Sequence, residues 1–108
     1  MKKKIQTKQE EKDSIEVIFT PLKMQIDFEG HTVNVSDANK VVGNLMKFRS
    51  SYLDIGFHTL AKEIYEEKPN EKIKILKEYI PYIVQVVRDD VNHQSCLRNA
   101  IIELLTKE

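Results

Sequence analysis

Tryptophan is absent from this chain, and cysteine occurs once, at Cys96. A lone thiol excludes an internal disulfide, so no secreted, disulfide-stapled scaffold is expected. Glycine and proline are scarce as well, with three of each. Gly30, Gly43 and Gly56 lie far apart, whereas a phosphate-binding loop clusters its glycines so that backbone N–H groups converge on the anion. The common nucleotide-binding enzymes are thereby disfavoured. No apolar run approaches the ~20 residues of a membrane-spanning helix. The Lys-rich start has no apolar stretch behind it, so no signal peptide is expected and the cytoplasm is the expected location.

Net charge is also missing, with 17 basic against 17 acidic residues. Lys2, Lys3, Lys4, Lys8 and Lys12 outnumber Glu10, Glu11 and Asp13 at the start, which leaves the rest of the chain slightly acidic. A body of that sign lacks the clustered basic face on which DNA binding normally rests.

What is present is a globular balance, 41% hydrophobic and 31% charged residues in a chain of 108. That length suits one domain with an aliphatic core. Residues 1–13, with Ile5 as their one large apolar side chain, read as a disordered Lys-rich tail. Residues 14–108 read as a single α+β domain: an N-terminal antiparallel β-hairpin unit of two to three strands, then a helix-dominated bundle of two to three helices.

The strand signal is clearest where Leu22, Met24, Ile26 and Phe28 alternate with Lys23, Gln25, Asp27 and Glu29. Thr32-Val33-Asn34-Val35 resumes the alternation after Gly30. A two-residue loop at Glu29-Gly30 would set Ile26 opposite Val33 and Met24 opposite Val35, apolar facing apolar. Strands are therefore expected at about 22–29 and 31–36, with an earlier one at about 15–20 on Ile15, Val17 and Phe19, ended by Pro21.

At Ser36-Asp37, both good N-caps, the period changes to helical. Helices are expected at about 37–67, 70–89 and 92–106. The first should bend or break near Gly56, since glycine costs roughly 1 kcal/mol in a helix interior. It should stop before Pro69. Asn70 is a candidate cap for the second helix, which should kink or restart at Pro81. Asp89-Asp90-Val91-Asn92 marks a break before the third, although the seam stays in phase through positions 90, 94, 97, 101 and 104, which one long bent helix would also satisfy.

Several groups of residues suggest chemistry and have a plainer reading beside it. Asp89, Asp90, His93 and Cys96 are zinc-compatible donors, but they form an incomplete set with no second cluster to close a tetrahedron. They read as capping residues, a surface histidine and a packed thiol. Cys96 with His93 as base would make a nucleophile, but no third, orienting group is in view. Asp27 and Glu29 alternate with Lys23 and Gln25, as on a solvated strand face. Lys62, Lys68, Lys72, Lys74 and Lys77 are interleaved with Glu63, Glu66, Glu67, Glu71 and Glu78, the pattern of a solvated helix surface. No catalytic residue, metal ligand or cofactor is assigned.

The pattern given most weight is Ala38, Val41, Leu45, Phe48, Tyr52 and Ile55, which recur at three-four spacing. Such a seam either pairs across a two-fold axis or lines the core of one chain. Val42, Met46 and Leu53 widen it beyond what a hairpin and two helices obviously cover, which favours self-association. The expected function is therefore a small non-enzymatic protein-interaction module, a homodimeric regulator, inhibitor or assembly factor without membrane contact. The alternative is an accessory nucleic-acid binder using Lys2, Lys3, Lys4, Lys8 and the junction of the first two helices.

Overall fold

In the computed structural model, residues 13–52 and 54–107 are described. The fold is α+β, with short antiparallel strands and a predominance of helix. The order is β1 (Ser14–Val17), β2 (Leu22–Gln25), β3 (Thr32–Val35), α1 (Ala38–Phe48), α2 (Ile55–Tyr65), β4 (Ile73–Leu76), a 3₁₀ turn (Lys77–Tyr79), α3 (Ile80–Arg88) and α4 (Ser95–Thr106). The expected tail lies outside the described residues apart from Asp13.

The strands form two separate pairs, β1 with β4 and β2 with β3, both antiparallel. The first pair was not legible as such. The periodicity predicts helix over residues 73–76, yet Ile73 and Ile75 are buried while Lys74 is exposed, a period of two. Four residues fit both periods, and the decision came from β1, which aligns Val17 with Ile73 and Ile15 with Ile75. The earlier strand is thus real but shorter than expected, and its partner lies far along the chain.

The β2–β3 hairpin keeps the expected parity and shifts the register by two. Met24 faces Val33 and Leu22 faces Val35; Ile26 is not opposite Val33, nor Met24 opposite Val35. The ladder ends at Gln25–Thr32, and Ile26 N–H then donates to His31 C=O at 3.0 Å. Asp27 explains the longer loop. Its Oδ1 accepts from the Glu29 and His31 amides at 3.0 and 3.1 Å, and its Oδ2 meets His31 Nδ1 at 2.7 Å. This side chain–backbone turn closes a four-residue loop, with Gly30 at φ +93°.

The long first helix is two helices. α1 ends at Phe48, and α2 restarts after Asp54, whose carboxylate accepts from Gly56 N–H at 2.7 Å. The break expected near Gly56 thus falls just before it, and Gly56 lies in the first turn of α2. The break lets the second half fold back on the first, so the apolar face of α1 (Ala38, Val42, Leu45, Met46) is covered largely by that of α2 (Phe57, Leu60, Ala61, Ile64). The apparent surplus of apolar surface is in large part used within the chain.

The second expected helix begins only at Ile80. Of the two outcomes expected at Pro81, a kink or a restart, the helix takes the restart: Pro81 sits in its first turn, where an N-terminal proline gives up no helical hydrogen bond. Asn70 caps nothing; it takes φ +68° and donates its N–H to Thr20 C=O at 2.8 Å. The break at 89–94 is as expected, and α4 packs on α3 and on β2. Among the described residues four helices thus replace the expected two or three.

One continuous core joins these parts, with Phe19, Phe57, Met46, Ile64, Ile75, Ile83 and Ile101 among its fully buried side chains. A polar staple runs through it. Glu67 accepts from the Phe19 amide at 2.7 Å through Oε2. Asn39 donates to the carbonyls of Tyr65 and Glu67 and accepts from the Thr20 hydroxyl.

Candidate functional site

The α1–α2 connection and the α3–α4 connection come together at one end of the molecule and leave two adjoining grooves. The larger encloses about 470 Å³ between residues 49–52 and residues 82–92. The smaller, about 310 Å³, lies between α1 and residues 90–93. Arg49, Asp90 and Asn92 line both.

The wall of the larger groove is aromatic. Tyr52 stacks on Tyr82, with centroids 3.9 Å apart and planes 7° apart, while Phe57 and Tyr79 meet Tyr52 edge-on. Asp54 fixes this cluster: its Oδ2 accepts from the Tyr79 and Tyr52 hydroxyls at 3.3 and 3.5 Å. Burial and then the Asp54 charge push both phenols above their ordinary pKa, so both remain protonated donors. Gly56 makes the arrangement possible, since a Cβ there would stand 2.3 Å from the Tyr79 hydroxyl.

The floor is polar. Asp90 is buried, accepts from Asn92 N–H at 3.0 Å and pairs with His93 Nδ1. Burial alone would raise its pKa, but the Asn92 amide, His93 and Arg98 outweigh burial and hold the carboxyl below its ordinary value. Around the grooves several apolar side chains stay in water: Phe48 at 70% exposure, Val91 at 86%, and Tyr82 partly.

The expected seam is divided by this arrangement. Ala38 and Leu45 are buried, Val41 and Tyr52 are half-buried against the core, and Phe48 and Ile55 are exposed. These six residues do not form a single face, because the chain turns between Phe48 and Ile55. Lys2, Lys3, Lys4 and Lys8, the nucleic-acid candidates, lie outside the described residues, as does Leu53.

The Asp89–His93–Cys96 helix face does not form, because residues 89–94 are a loop. His93 engages Asp90, and the Cys96 thiol donates to Gln94 Oε1 at 3.6 Å. Asp27 and Glu29, expected on a strand face, lie instead in the hairpin loop with His31. Among the described residues these three form a group of metal-type donors within 4.8 Å of one another. The ring of His31, first of all, and the loop amides hold the Asp27 carboxyl below its ordinary pKa.

Two features escaped sequence reading. The Tyr52–Tyr82 stack joins residues 30 apart, and nothing local to either marks it. Glu67 looks like one more acid in a charged run; only its burial at 7% exposure sets it apart. No helix among the described residues is long and apolar enough to cross a membrane. No family model, curated protein or solved structure matches this sequence, so what its surfaces do has to be argued from their own chemistry.

Proposed function

We propose that this chain is a small non-enzymatic protein-interaction module of the cytoplasm, working as a homodimeric regulator, inhibitor or assembly factor. The observation that carries this reading is the set of large apolar side chains left in water after the core is complete. Phe28 is fully exposed, Ile55 and Val91 are more than four-fifths exposed, and Ile26 and Phe48 are more than half exposed. Each would gain roughly 1.5–3 kcal/mol on full burial, which is the kind of surplus that marks association surfaces.

Light scattering and sedimentation across a wide concentration range test the homodimer. The expected outcome is a mass that rises towards that of two chains. A strict monomer at millimolar concentration overturns it.

A further inference from the structure

We infer that the outer edge of β3 is where two copies of this chain join, strand against antiparallel strand about a two-fold axis. The inference rests on the homodimer proposed above and names its interface. The backbone phase of the hairpin gives the first support. Ile26 N–H donates to His31 C=O, so that pair points inward. Inward and outward pairs alternate along an antiparallel ladder. Met24–Val33 and Leu22–Val35 therefore point inward as well, while the amides and carbonyls of Thr32 and Asn34 face away from β2.

That outward edge is unguarded. Open strand edges in natural proteins are commonly protected by lysine, proline, a bulge or a covering element. The outward residues of β2 include Lys23. β3 reads Thr-Val-Asn-Val, without charge or proline, and Thr32, Val33 and Asn34 are all exposed. Its one strand neighbour among the described residues is β2.

The edge is also self-complementary. A two-fold axis at Val33 places Thr32 opposite Asn34 of the second copy, and each such pair can exchange both backbone hydrogen bonds. No charge faces a like charge in that register. Val33 then meets its own counterpart at the close, non-hydrogen-bonded spacing, and cross-strand β-branched pairs add to stability. Val33, 41% exposed, and Ile26, 51% exposed, lie on the face whose inner end, Leu22, is already in the core. Two two-stranded hairpins, each marginal by itself, become one four-stranded sheet with a continuous apolar face.

The test compares the wild-type chain with Asn34→Pro, Val33→Lys and, at an exposed position of α4, Glu103→Gln by sedimentation, with circular dichroism and thermal melting to establish folding. Proline at position 34 removes an outward donor but no bond to β2, so the monomer should stay folded. Asn34→Pro and Val33→Lys are expected to weaken dimerisation by at least about tenfold, and Glu103→Gln to leave it unchanged. Hydrogen exchange gives a second readout: the Thr32 and Asn34 amides should gain protection as protein concentration rises. A dimer that persists in folded Asn34→Pro and Val33→Lys, with those two amides exchanging fast at every concentration, overturns the β3 interface and leaves the homodimer standing. A wild-type chain that stays monomeric overturns both.

Discussion

Glu67 Oε2 takes the Phe19 amide, the Glu67 carbonyl takes Asn39, and the residue is 7% exposed. Removing its side chain strands the Phe19 N–H in the core, and hydrogen bonds to charged groups are worth about 1.5–3 kcal/mol. Glu67→Ala should therefore lower unfolding free energy by about 2–3 kcal/mol in urea titrations. Glu66→Ala, at an exposed neighbouring position, should stay within about 0.5 kcal/mol of wild type.

Asp90 makes a pH prediction of definite sign. Its folded pKa lies below the ordinary 3.8, despite burial, because of the Asn92 amide, His93 and Arg98. Its stabilising contribution is then fully present well above pH 3.8 and is lost as pH falls from there through the lowered folded value. Asp90→Asn should flatten that part of the acid limb in a series of urea melts. An unchanged acid slope would show that Asp90 does not contribute to it.

Among the elements, the α1–α2 contact gives the sharpest test, because two effects of opposite sign meet at Gly43. Alanine would favour the helix by about 1 kcal/mol. A Cβ there would stand 2.8 Å from the Ala61 carbonyl oxygen and 2.8 Å from Tyr65 Cβ. The first of these is backbone and cannot swing away, and overpacking typically costs about 1–3 kcal/mol. Gly43→Ala should thus destabilise by a net 1 kcal/mol or so in spite of its better propensity, measurable as a lowered melting temperature.

The elements also show how far local pattern reached. The Leu22–Met24 and Val33–Val35 alternation sufficed for a hairpin and for its parity, since slipping by two residues keeps every side chain on its face. It did not suffice for the loop, which was set by Asp27 folding back on Glu29 and His31. Ala38, Val42, Leu45 and Phe57, Leu60, Ile64 announced helix throughout. The phase slip after Ile55 marked a bend or break near Gly56, but nothing in the periodicity announced that the second half would fold back on the first. Of the grooved end, Asp90 and His93 were visible as polar groups at a break, whereas the Tyr52–Tyr82 wall depends on bringing two distant connections together.

For the whole molecule, the single core predicts single cooperative unfolding. β1 is held by β4, and Glu67 and Asn39 tie the segment after β1 to both α1 and the end of α2. Helix content by far-ultraviolet dichroism and the tyrosine signal of Tyr52, Tyr79 and Tyr82 should therefore be lost at one denaturant midpoint. Separate midpoints would show that the tyrosine cluster at the grooved end loses its packing independently of the helices.

The sequence alone determined the fold class, the hairpin's apolar face, the helical character of most of the remainder and the break before Ser95. These follow from periodicity and capping, which act over a few residues. Tertiary structure alone decided that residues 73–76 would be a strand, that the first long helical pattern would fold back on itself, and which apolar side chains would be left in water. Each of those depends on a partner distant along the chain: β1 for β4, α2 for α1, and the completed core for Phe48 and Val91.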